Sequence, residues 1–310
     1  MKKIITLALV LMMVAMTACA SATTVGICQL VQHVALDQAT QGFKDALSEK
    51  MPGVIFDEKN ASGDAVNCAT IANTFVSDGV DLIMCNATPA LQAAVAATGD
   101  IPILGTSVTE YGVALGIDSF TGVTGMNVSG TSDLAPLDQQ AAMVKELFPD
   151  AKKVGLLYCS AEANSIYQVK VVGEELAKLG YETEEFAFTD SNDVASVSAL
   201  AAQNCDVVYI PTDNTAAAYT ETIANELIPA KIPAVVGEEG ICKGCGVATL
   251  TISYYDIGYA TGLMAYEILA NGADVSAMPI EYAPQFTKKY NAANAEALGL
   301  TIPADYTAIE

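Results

Sequence analysis

Short apolar runs alternate with longer helix-like segments along almost the whole chain, and this alternation is the feature that most constrains the fold. It is typical of βα units, which build a parallel sheet. The runs are nearly continuous in Val, Ile, Leu and Cys, as expected for strands that helices cover on both faces. In the first half, the pattern predicts strands near 23–31, 53–59, 80–86, 101–106 and 121–127, with helices over 37–50, 65–78 and 88–98.

The same pattern starts again after residue 150. A chain of 310 residues is longer than one hydrophobic core usually supports, so we expect two domains. No flexible Gly/Ser-rich linker separates the halves, which indicates two α/β lobes joined by a hinge, each a parallel sheet flanked by helices. The second series predicts strands near 153–159, 181–188, 206–211 and 233–237, with helices over 162–179, 193–203 and 215–228.

The chain is also expected to cross between the lobes more than once. Residues 127–136, which are rich in Ser, Thr, Gly and Asp, form the first predicted connection. A strand over 247–252 and a helix over 256–270 are predicted to return to the first lobe, before a crossing near 278–286. The predicted N-terminal lobe is therefore 23–130 plus 247–278, and the predicted C-terminal lobe is 131–246 plus 279–310.

The beginning of the chain has the layout of a secretory signal, with Lys2 and Lys3, an apolar run over 4–16 and small residues before Cys19. The apolar run is too short to span a bilayer, which needs roughly 20 residues. The junction resembles the bacterial lipobox, in which the cysteine is acylated. We therefore expect residues 1–18 to be a lipoprotein signal peptide and Cys19 to carry a lipid that anchors the protein outside the cytoplasmic membrane. An ordinary secretion signal is the alternative.

Charge and cysteine content narrow the possible partners. The formal net charge is −22, with only 14 Lys and Arg, which argues against nucleic acid because phosphate backbones are bound through basic side chains. The chain has eight cysteines, and setting Cys19 aside leaves an odd number, so a full disulfide framework is not expected. Cys242 and Cys245 have CxxC spacing, for which we rank a reversible disulfide or free thiols before a metal site. No metal and no cofactor is predicted.

Candidate binding residues follow from the predicted topology. In an open parallel sheet the ligand binds at the carboxyl ends of the strands, so the polar residues just after each strand are the informative ones. In the first half these candidates are Gln29, Gln32, His33, Asn86, Thr88, Ser107 and Thr109. In the second half they are Glu162, Asn164, Ser165, Thr212, Asp213, Asn214 and Glu238.

Some of these turns suggest how a ligand with two charges would bind. Thr88 stands before Pro89 at the start of a helix whose free N–H groups could hold a carboxylate, with helix capping alone as the competing interpretation. Asp213, or failing that Glu238, would meet an ammonium group, although Asp213 could instead cap the following helix. Enzymatic activity is not expected, because His33 is the only histidine and no nucleophile or phosphate-binding motif is present.

Several short motifs also occur in an order and spacing that resemble the ABC-transporter substrate-binding family that includes the tryptophan and tyrosine receptors. The motifs are GICQLVQH at 26–33, ALD at 35–37, GF at 42–43, ATPALQ at 87–92, EANS at 162–165, PTDN at 211–214 and SYYDIG at 253–258. The resemblance runs over almost the whole chain after the signal segment. It implies a type I periplasmic-binding-protein fold with the ligand between the lobes, and an aromatic amino acid as the ligand of several members.

The sequence therefore predicts an extracytoplasmic, lipid-anchored receptor that captures an amino acid, aromatic or large and apolar, for an ABC importer. Its expected partners are this small-molecule ligand and the permease and ATPase subunits. Its only expected membrane contact is the lipid anchor, and it is expected to be a monomer. The alternatives are a receptor for a sugar, nucleoside or other neutral solute, and a sensory ligand-binding protein.

Overall fold

The computed structural model describes residues 22–309, so the predicted signal segment and Cys19 lie outside the described residues. Two sheets form the centres of two lobes, which we call the first and second lobes. The elements of the first lobe, up to the first crossing, are β1 (Thr24–Gln29), α1 (Val34–Lys50), β2 (Ile55–Asn60), α2 (Ala65–Asp78), β3 (Leu82–Asn86), α3 (Thr88–Ala97), β4 (Ile103–Val108), α4 (Tyr111–Leu115) and β5 (Val128–Ser132).

The second lobe repeats the alternation of strands and helices. Its strands β6 to β10 pair in parallel, apart from the late additions described next. Its elements are α5 (Leu137–Leu147), β6 (Lys153–Cys159), α6 (Ala163–Lys178), β7 (Glu182–Phe188), α7 (Val194–Asn204), β8 (Val207–Ile210), α8 (Asn214–Ala218), α9 (Thr220–Leu227), β9 (Ala234–Val236), α10 (Glu239–Gly244) and β10 (Ala248–Thr251).

The remaining elements divide between the two lobes. Helix α11 (Tyr254–Asn271) packs against α1, and β11 (Glu281–Tyr282) pairs with β5, so both belong to the first lobe. β12 (Thr287–Tyr290) pairs antiparallel with β10, and α12 (Ala292–Leu298) and β13 (Thr307–Ala308) follow in the second lobe. The sheet orders are β11-β5-β4-β3-β1-β2 and β13-β12-β10-β9-β8-β6-β7.

The central strands are buried along nearly their whole length, as their continuous apolar runs predict. Every residue of β3 and β4 is buried, and so are all but the first residues of β1 and β6. Burying one large aliphatic side chain contributes roughly 1.5–3 kcal/mol, so these strands supply much of the stability of each lobe. Within residues 22–309, none of the helices has the length and apolar character needed to cross a membrane.

Helices α1 and α11 approach each other closely because glycines line their interface. A Cβ atom on Gly258 would lie 2.0 Å from the carbonyl oxygen of Ala39, and one on Gly42 would lie 2.1 Å from the carbonyl oxygen of Tyr255. Any larger side chain would therefore collide with backbone. This contact fixes the late helix α11 on the first lobe and sets where Tyr254, its first residue, is held.

The lobes are joined at three crossings, over 133–136, 252–253 and 283–286. The strand predicted over 247–252 for the first lobe is β10, and it pairs with β9 in the second sheet, so that part of the predicted lobe division differs from the structure. The strand predicted near 121–127 is instead β5, because Gly122 and Gly125 have positive φ values of 94° and 68° and form turns. The predicted connection over 127–136 thus contains a buried strand.

Candidate functional site

A small cavity of about 10 Å³ lies between the lobes, at the carboxyl ends of their strands. Its volume is close to the space that one water molecule needs. Both lobes and the first crossing, through Asp133, contribute to its wall. The residues that line it are His33, Leu36, Ser107, Thr109, Asp133, Asn164, Thr212, Asp213, Asn214, Ala217, Glu238 and Tyr254.

Most of the sequence-predicted candidates meet at this cavity, and some do not. The predicted residues in the wall are His33, Ser107, Thr109, Asn164, Thr212, Asp213, Asn214 and Glu238. The predicted residues outside the wall are Gln29, Gln32, Asn86, Thr88, Glu162 and Ser165. The wall also contains residues that were not predicted, namely Leu36, Asp133, Ala217 and Tyr254.

Gln29 and Asn86 follow their strands as predicted, but their side chains turn into the first lobe. The Gln29 amide donates to Asp37 Oδ1 at 2.7 Å and accepts from the Thr40 hydroxyl at 2.6 Å. The Asn86 amide donates to the Leu36 carbonyl at 2.7 Å and to Thr40 Oγ1 at 2.9 Å. This network ties β1 and β3 to α1. The prediction of cleft contacts for these two residues is therefore replaced by a structural role.

Thr88 does not cap its helix. The helix begins at Thr88 itself, and the capping position is Ala87, which has φ 93° and no side-chain acceptor. Positive φ is uncommon for alanine and costs about 1–3 kcal/mol. Thr88 is buried away from the cavity wall, so the carboxylate contact predicted for this turn has no support in the geometry.

Glu162 and Gln168 hold the loop after β8 in position. Glu162 accepts from the Asn214 side chain at 2.6 Å and from the backbone and hydroxyl of Thr215, both at 2.9 Å. Gln168 accepts from the Thr212 N–H at 3.0 Å and donates to the Thr212 carbonyl at 3.2 Å. Glu162 thus supports this loop, and because it also lines a space of about 640 Å³ beside the cavity, its contact with a ligand stays a prediction. Gln168 was missed because it lies in the second turn of α6, well beyond the end of β6 at Cys159.

Asp213 and Glu238 line the cavity, but both serve as helix caps. Asp213 Oδ2 accepts from the Cys159 N–H at 2.6 Å, and Oδ1 accepts from the Ala216 N–H at 2.8 Å. Glu238 accepts from the N–H groups of Gly240 and Ile241, the second and third residues of α10. Burial raises the pKa of Glu238 to about 7, and burial together with the nearby Glu162 charge raises the pKa of Asp213. The capping interpretation of Asp213 is therefore the one seen.

Asp133 is the acidic residue that sequence reasoning missed. It is 4% exposed, lies directly after β5 at the first crossing, and accepts a hydrogen bond from the Tyr254 hydroxyl at 2.9 Å. Burial raises the pKa of its carboxyl group to about 6. The rule of strand ends would have found it, but the strand was predicted near 121–127 rather than at β5.

His33 joins the two lobes across the rim of the cavity. Its Nε2 lies 3.4 Å from Oδ1 of Asn214 in the second lobe. Burial lowers the pKa of the imidazole, which keeps it neutral at neutral pH. The contact closes one side of the cavity, next to an adjoining space of about 300 Å³ between the lobes that His33 also lines.

The charged side chains in the cavity wall are acidic. Three carboxyl groups, Asp133, Asp213 and Glu238, line the cavity, and its described wall includes neither lysine nor arginine. Low local dielectric makes unbalanced charge costly, so this wall favours a ligand group that carries a positive charge. In this wall the Tyr254 hydroxyl pairs with an acid, Asp133, and the tyrosine donates to the buried carboxylate.

Cys242 and Cys245 lie in the apolar core of the second lobe. In the described part of the chain both are free thiols, and burial raises the pKa of each. Among residues 22–309, no group of three or more potential metal ligands comes together. Of the predicted options, free thiols are the state seen in the structure.

Comparisons with known proteins agree with this geometry. Residues 24–308 match the family described as ABC transporter substrate binding protein. A tyrosine-binding protein of Clostridioides difficile (strain R20291) is 37% identical over 260 residues, which cover 83% of this chain and 75% of the relative. An ABC domain from Streptococcus pneumoniae, solved in complex with L-Trp, superposes with a TM-score of 0.88 at 31% identity, covering 93% of this chain and 100% of that one.

The arrangement of the lobes can be compared through a third relative. A ligand-free, open structure of a substrate-binding protein with adhesive properties from Clostridium difficile gives a TM-score of 0.70 at 36% identity, covering 93% of this chain and 99% of that one. Its sequence is slightly more similar than that of the L-Trp complex, yet its overall shape agrees less well. The lobes of the present structure are therefore arranged more like those of the ligand-bound relative.

These relatives share two α/β lobes with the chain, which confirms the predicted type I periplasmic-binding-protein fold. The family match extends from β1 to β13 and so includes both lobes and all three crossings. A closed cavity between such lobes is what a protein that captures solutes requires. The chain belongs to the ABC transporter substrate-binding family, whose members are extracytoplasmic solute-binding proteins and not enzymes.

Proposed function

We propose that this protein captures an amino acid, aromatic or large and apolar, between its lobes and delivers it to the permease and ATPase of an ABC importer. The observation that carries the proposal is the acidic cavity, to which both lobes contribute. It fits an ammonium group, while relatives bind tyrosine, by name, or L-Trp, in the crystal. A carboxylate would have to be held by neutral donors, because no basic side chain is in the described wall.

The ligand must enter through opening of the lobes. A cavity of about 10 Å³ is far smaller than the roughly 300–1,000 Å³ that ligand pockets usually occupy. Two adjoining spaces lie between the same lobes: one of about 300 Å³ shares His33 with the cavity wall, and one of about 640 Å³ shares Asn214 with it. A hinge motion at the three crossings would join these spaces and let an aromatic side chain extend into one of them.

Calorimetric titration with tyrosine, tryptophan, phenylalanine, leucine and ribose tests the proposal. We expect at least one of the aromatic amino acids to bind with one ligand per protein and ribose to give no heat of binding. Binding of ribose, or of none of the four amino acids, would refute the assignment. Binding of ribose would also favour the neutral-solute alternative.

Anchoring by a lipid on Cys19 is a separate part of the proposal. It is supported by the sequence before Cys19, which has the layout of a lipoprotein signal. Cys19→Ala should release the protein from the membrane fraction, while its affinity for the amino acid stays the same because Cys19 precedes β1 and the cavity wall. Fractionation of cells that make each form is the measurement, and a mutant that stays membrane-bound would contradict the anchor.

A further inference from the structure

We propose that the cavity is a cage for a primary ammonium group, so that the protein also binds primary amines that lack a carboxylate. This inference rests on the proposed function and deepens it, because it names the ligand group that the site recognises. It starts from three buried side-chain atoms that, within residues 22–309, have no hydrogen-bond partner: Ser107 Oγ, Asp133 Oδ1 and Asn164 Oδ1. All three residues line the cavity and are at most 6% exposed.

The Asn164 oxygen is an acceptor whose orientation is fixed by its own amide nitrogen. Asn164 Nδ2 donates to the Thr212 carbonyl at 3.0 Å and faces a Glu162 carboxylate oxygen at 3.3 Å. Both of those oxygens can only accept, so the nitrogen must point toward them and Oδ1 must point away. Asn164 Oδ1 can therefore be satisfied only by a hydrogen-bond donor.

The Asp133 oxygen has the same requirement. The Tyr254 hydroxyl donates to Oδ2 at 2.9 Å and Thr109 also bonds to this carboxyl group, yet Oδ1 has no partner with hydrogen-bond geometry within residues 22–309 and remains an acceptor when the group is ionised. Buried polar groups are almost always hydrogen-bonded in proteins, and an unpaired carboxylate oxygen is the most costly case. A ligand with N–H donors and a positive charge satisfies it best.

Ser107 completes the set from the first lobe. Its backbone has φ 54°, in the left-handed region that residues other than glycine rarely adopt, at an irregularity in the pairing of β4 with β5. Strained backbone of this kind is concentrated at functional sites. The Ser107 hydroxyl can accept from a ligand as well as donate, so it can serve as the third acceptor.

The three acceptors come from different parts of the molecule. Ser107 belongs to the first lobe, Asp133 to the first crossing and Asn164 to the second lobe. An alkylammonium group has three N–H donors, which is one for each acceptor. A ligand carboxylate, by contrast, would add a negative charge to a wall that already has three carboxyl groups. The ammonium is therefore the group that links the lobes.

Matched ligands test the inference. The first series is tyrosine, tyramine, which lacks the carboxylate, and 3-(4-hydroxyphenyl)propionate, which lacks the amine. The second series is tryptophan, tryptamine and indole-3-propionate. In calorimetric titrations we expect the amine to bind within about tenfold of its amino acid and the deaminated acid to bind at least a hundredfold more weakly.

Two variants and a control separate recognition from folding. Ser107→Ala removes a hydroxyl that makes no hydrogen bond within residues 22–309, so the melting temperature without ligand should stay the same while affinity for tyramine falls severalfold. Asp133→Asn should reduce affinity for both the amine and the amino acid at least tenfold. Asp256→Asn, which changes an exposed carboxylate on the same helix as Tyr254, should leave both affinities unchanged.

The outcomes distinguish this inference from the proposed function. If tyrosine or tryptophan binds but neither amine does, or if Ser107→Ala and Asp133→Asn both bind as wild type does, the ammonium cage is wrong and the amino-acid receptor stands. If neither the amino acids nor the amines bind, the proposed function fails as well. Binding of an amine with loss in Asp133→Asn supports both.

Discussion

At the scale of one residue, burial and hydrogen bonding have opposite effects on the pKa of the Asp133 carboxyl group. Burial disfavours the charged carboxylate and raises its pKa to about 6, while hydrogen bonds from Thr109 and Tyr254 favour the charge. Glu238 is similar, with a pKa that burial raises to about 7 although two backbone N–H groups donate to it. Such acids suit a protein that binds a cation, because the positive charge of the ligand stabilises the ionised carboxylates that burial disfavours.

The stability of the ligand-free protein should therefore depend on pH. The folded-state pKa values of about 6 and about 7 exceed the ordinary values of 3.8 and 4.5, so the folded protein holds more protons than the unfolded chain between them. The stability contributed by these acids is full below the ordinary values and is lost as pH rises through about 6 to 7. We expect the melting temperature to fall between about pH 5 and about pH 8.

Single substitutions can separate the contributing groups. Asp133→Asn should make the fall shallower by removing one acid, whereas Asp256→Asn should keep the wild-type slope. His33 acts in the opposite direction, because burial lowers its pKa from 6.5, so its contribution is lost as pH falls. A wild-type melting temperature that rises over this range, measured by differential scanning fluorimetry, would show that Asp133, Asp213 and Glu238 do not dominate.

At the scale of elements, the contact between α1 and α11 determines where Tyr254 is held beside Asp133. Gly258→Ala should disrupt this contact, because its Cβ would lie 2.0 Å from the carbonyl oxygen of Ala39. Overpacking of this kind costs about 1–3 kcal/mol, so the melting temperature should drop by several degrees. Affinity should also weaken, since a shift of α11 moves the Tyr254 hydroxyl.

Gly99→Ala is the matched control for this change. Gly99 is exposed, its φ is not in the left-handed region, and a Cβ there would have nothing within 4 Å. Its melting temperature should stay close to that of wild type. Equal effects of the two substitutions on thermal unfolding would mean that the α1–α11 interface is not the tight contact described above.

The elements also show what the sequence can and cannot predict. Local periodicity predicts most of the strands and helices, because continuous apolar runs and helical spacing are properties of each segment alone. It does not predict that β10 pairs with β9, since pairing depends on contacts between residues distant in sequence. It also misses β5, whose sequence VSGTS is largely polar although all five residues are buried.

The same limit applies to the site. The strand-end rule predicts His33, Ser107, Thr109 and Asp213 in the cavity wall, because that rule depends only on topology. It does not predict which way a side chain turns, so Gln29 and Asn86 were expected at the ligand although they bond within the first lobe. Such choices are decided by the partners that each side chain finds after packing.

At the scale of the whole molecule, closure is the property that the fold provides. Three crossings connect lobes whose cores are separate, which permits bending at the crossings while each sheet stays rigid. The cavity closes around groups from both lobes, so a ligand that bonds to Ser107 and Asn164 stabilises the closed arrangement. Ligand binding thereby shifts the population of the protein toward the closed arrangement, which is the arrangement we propose that the permease recognises.

A crystal structure of the protein grown with tyrosine, or with tryptophan if that binds more tightly, tests this account most directly. We predict density for the amino acid between the lobes, with its nitrogen about 2.7–3.2 Å from Asp133 Oδ1 and Asn164 Oδ1. We also predict that the side chain occupies one of the adjoining spaces next to His33 or Asn214. An amino acid bound outside the interlobe cleft, or bound there with its carboxylate toward Asp133, would contradict the account.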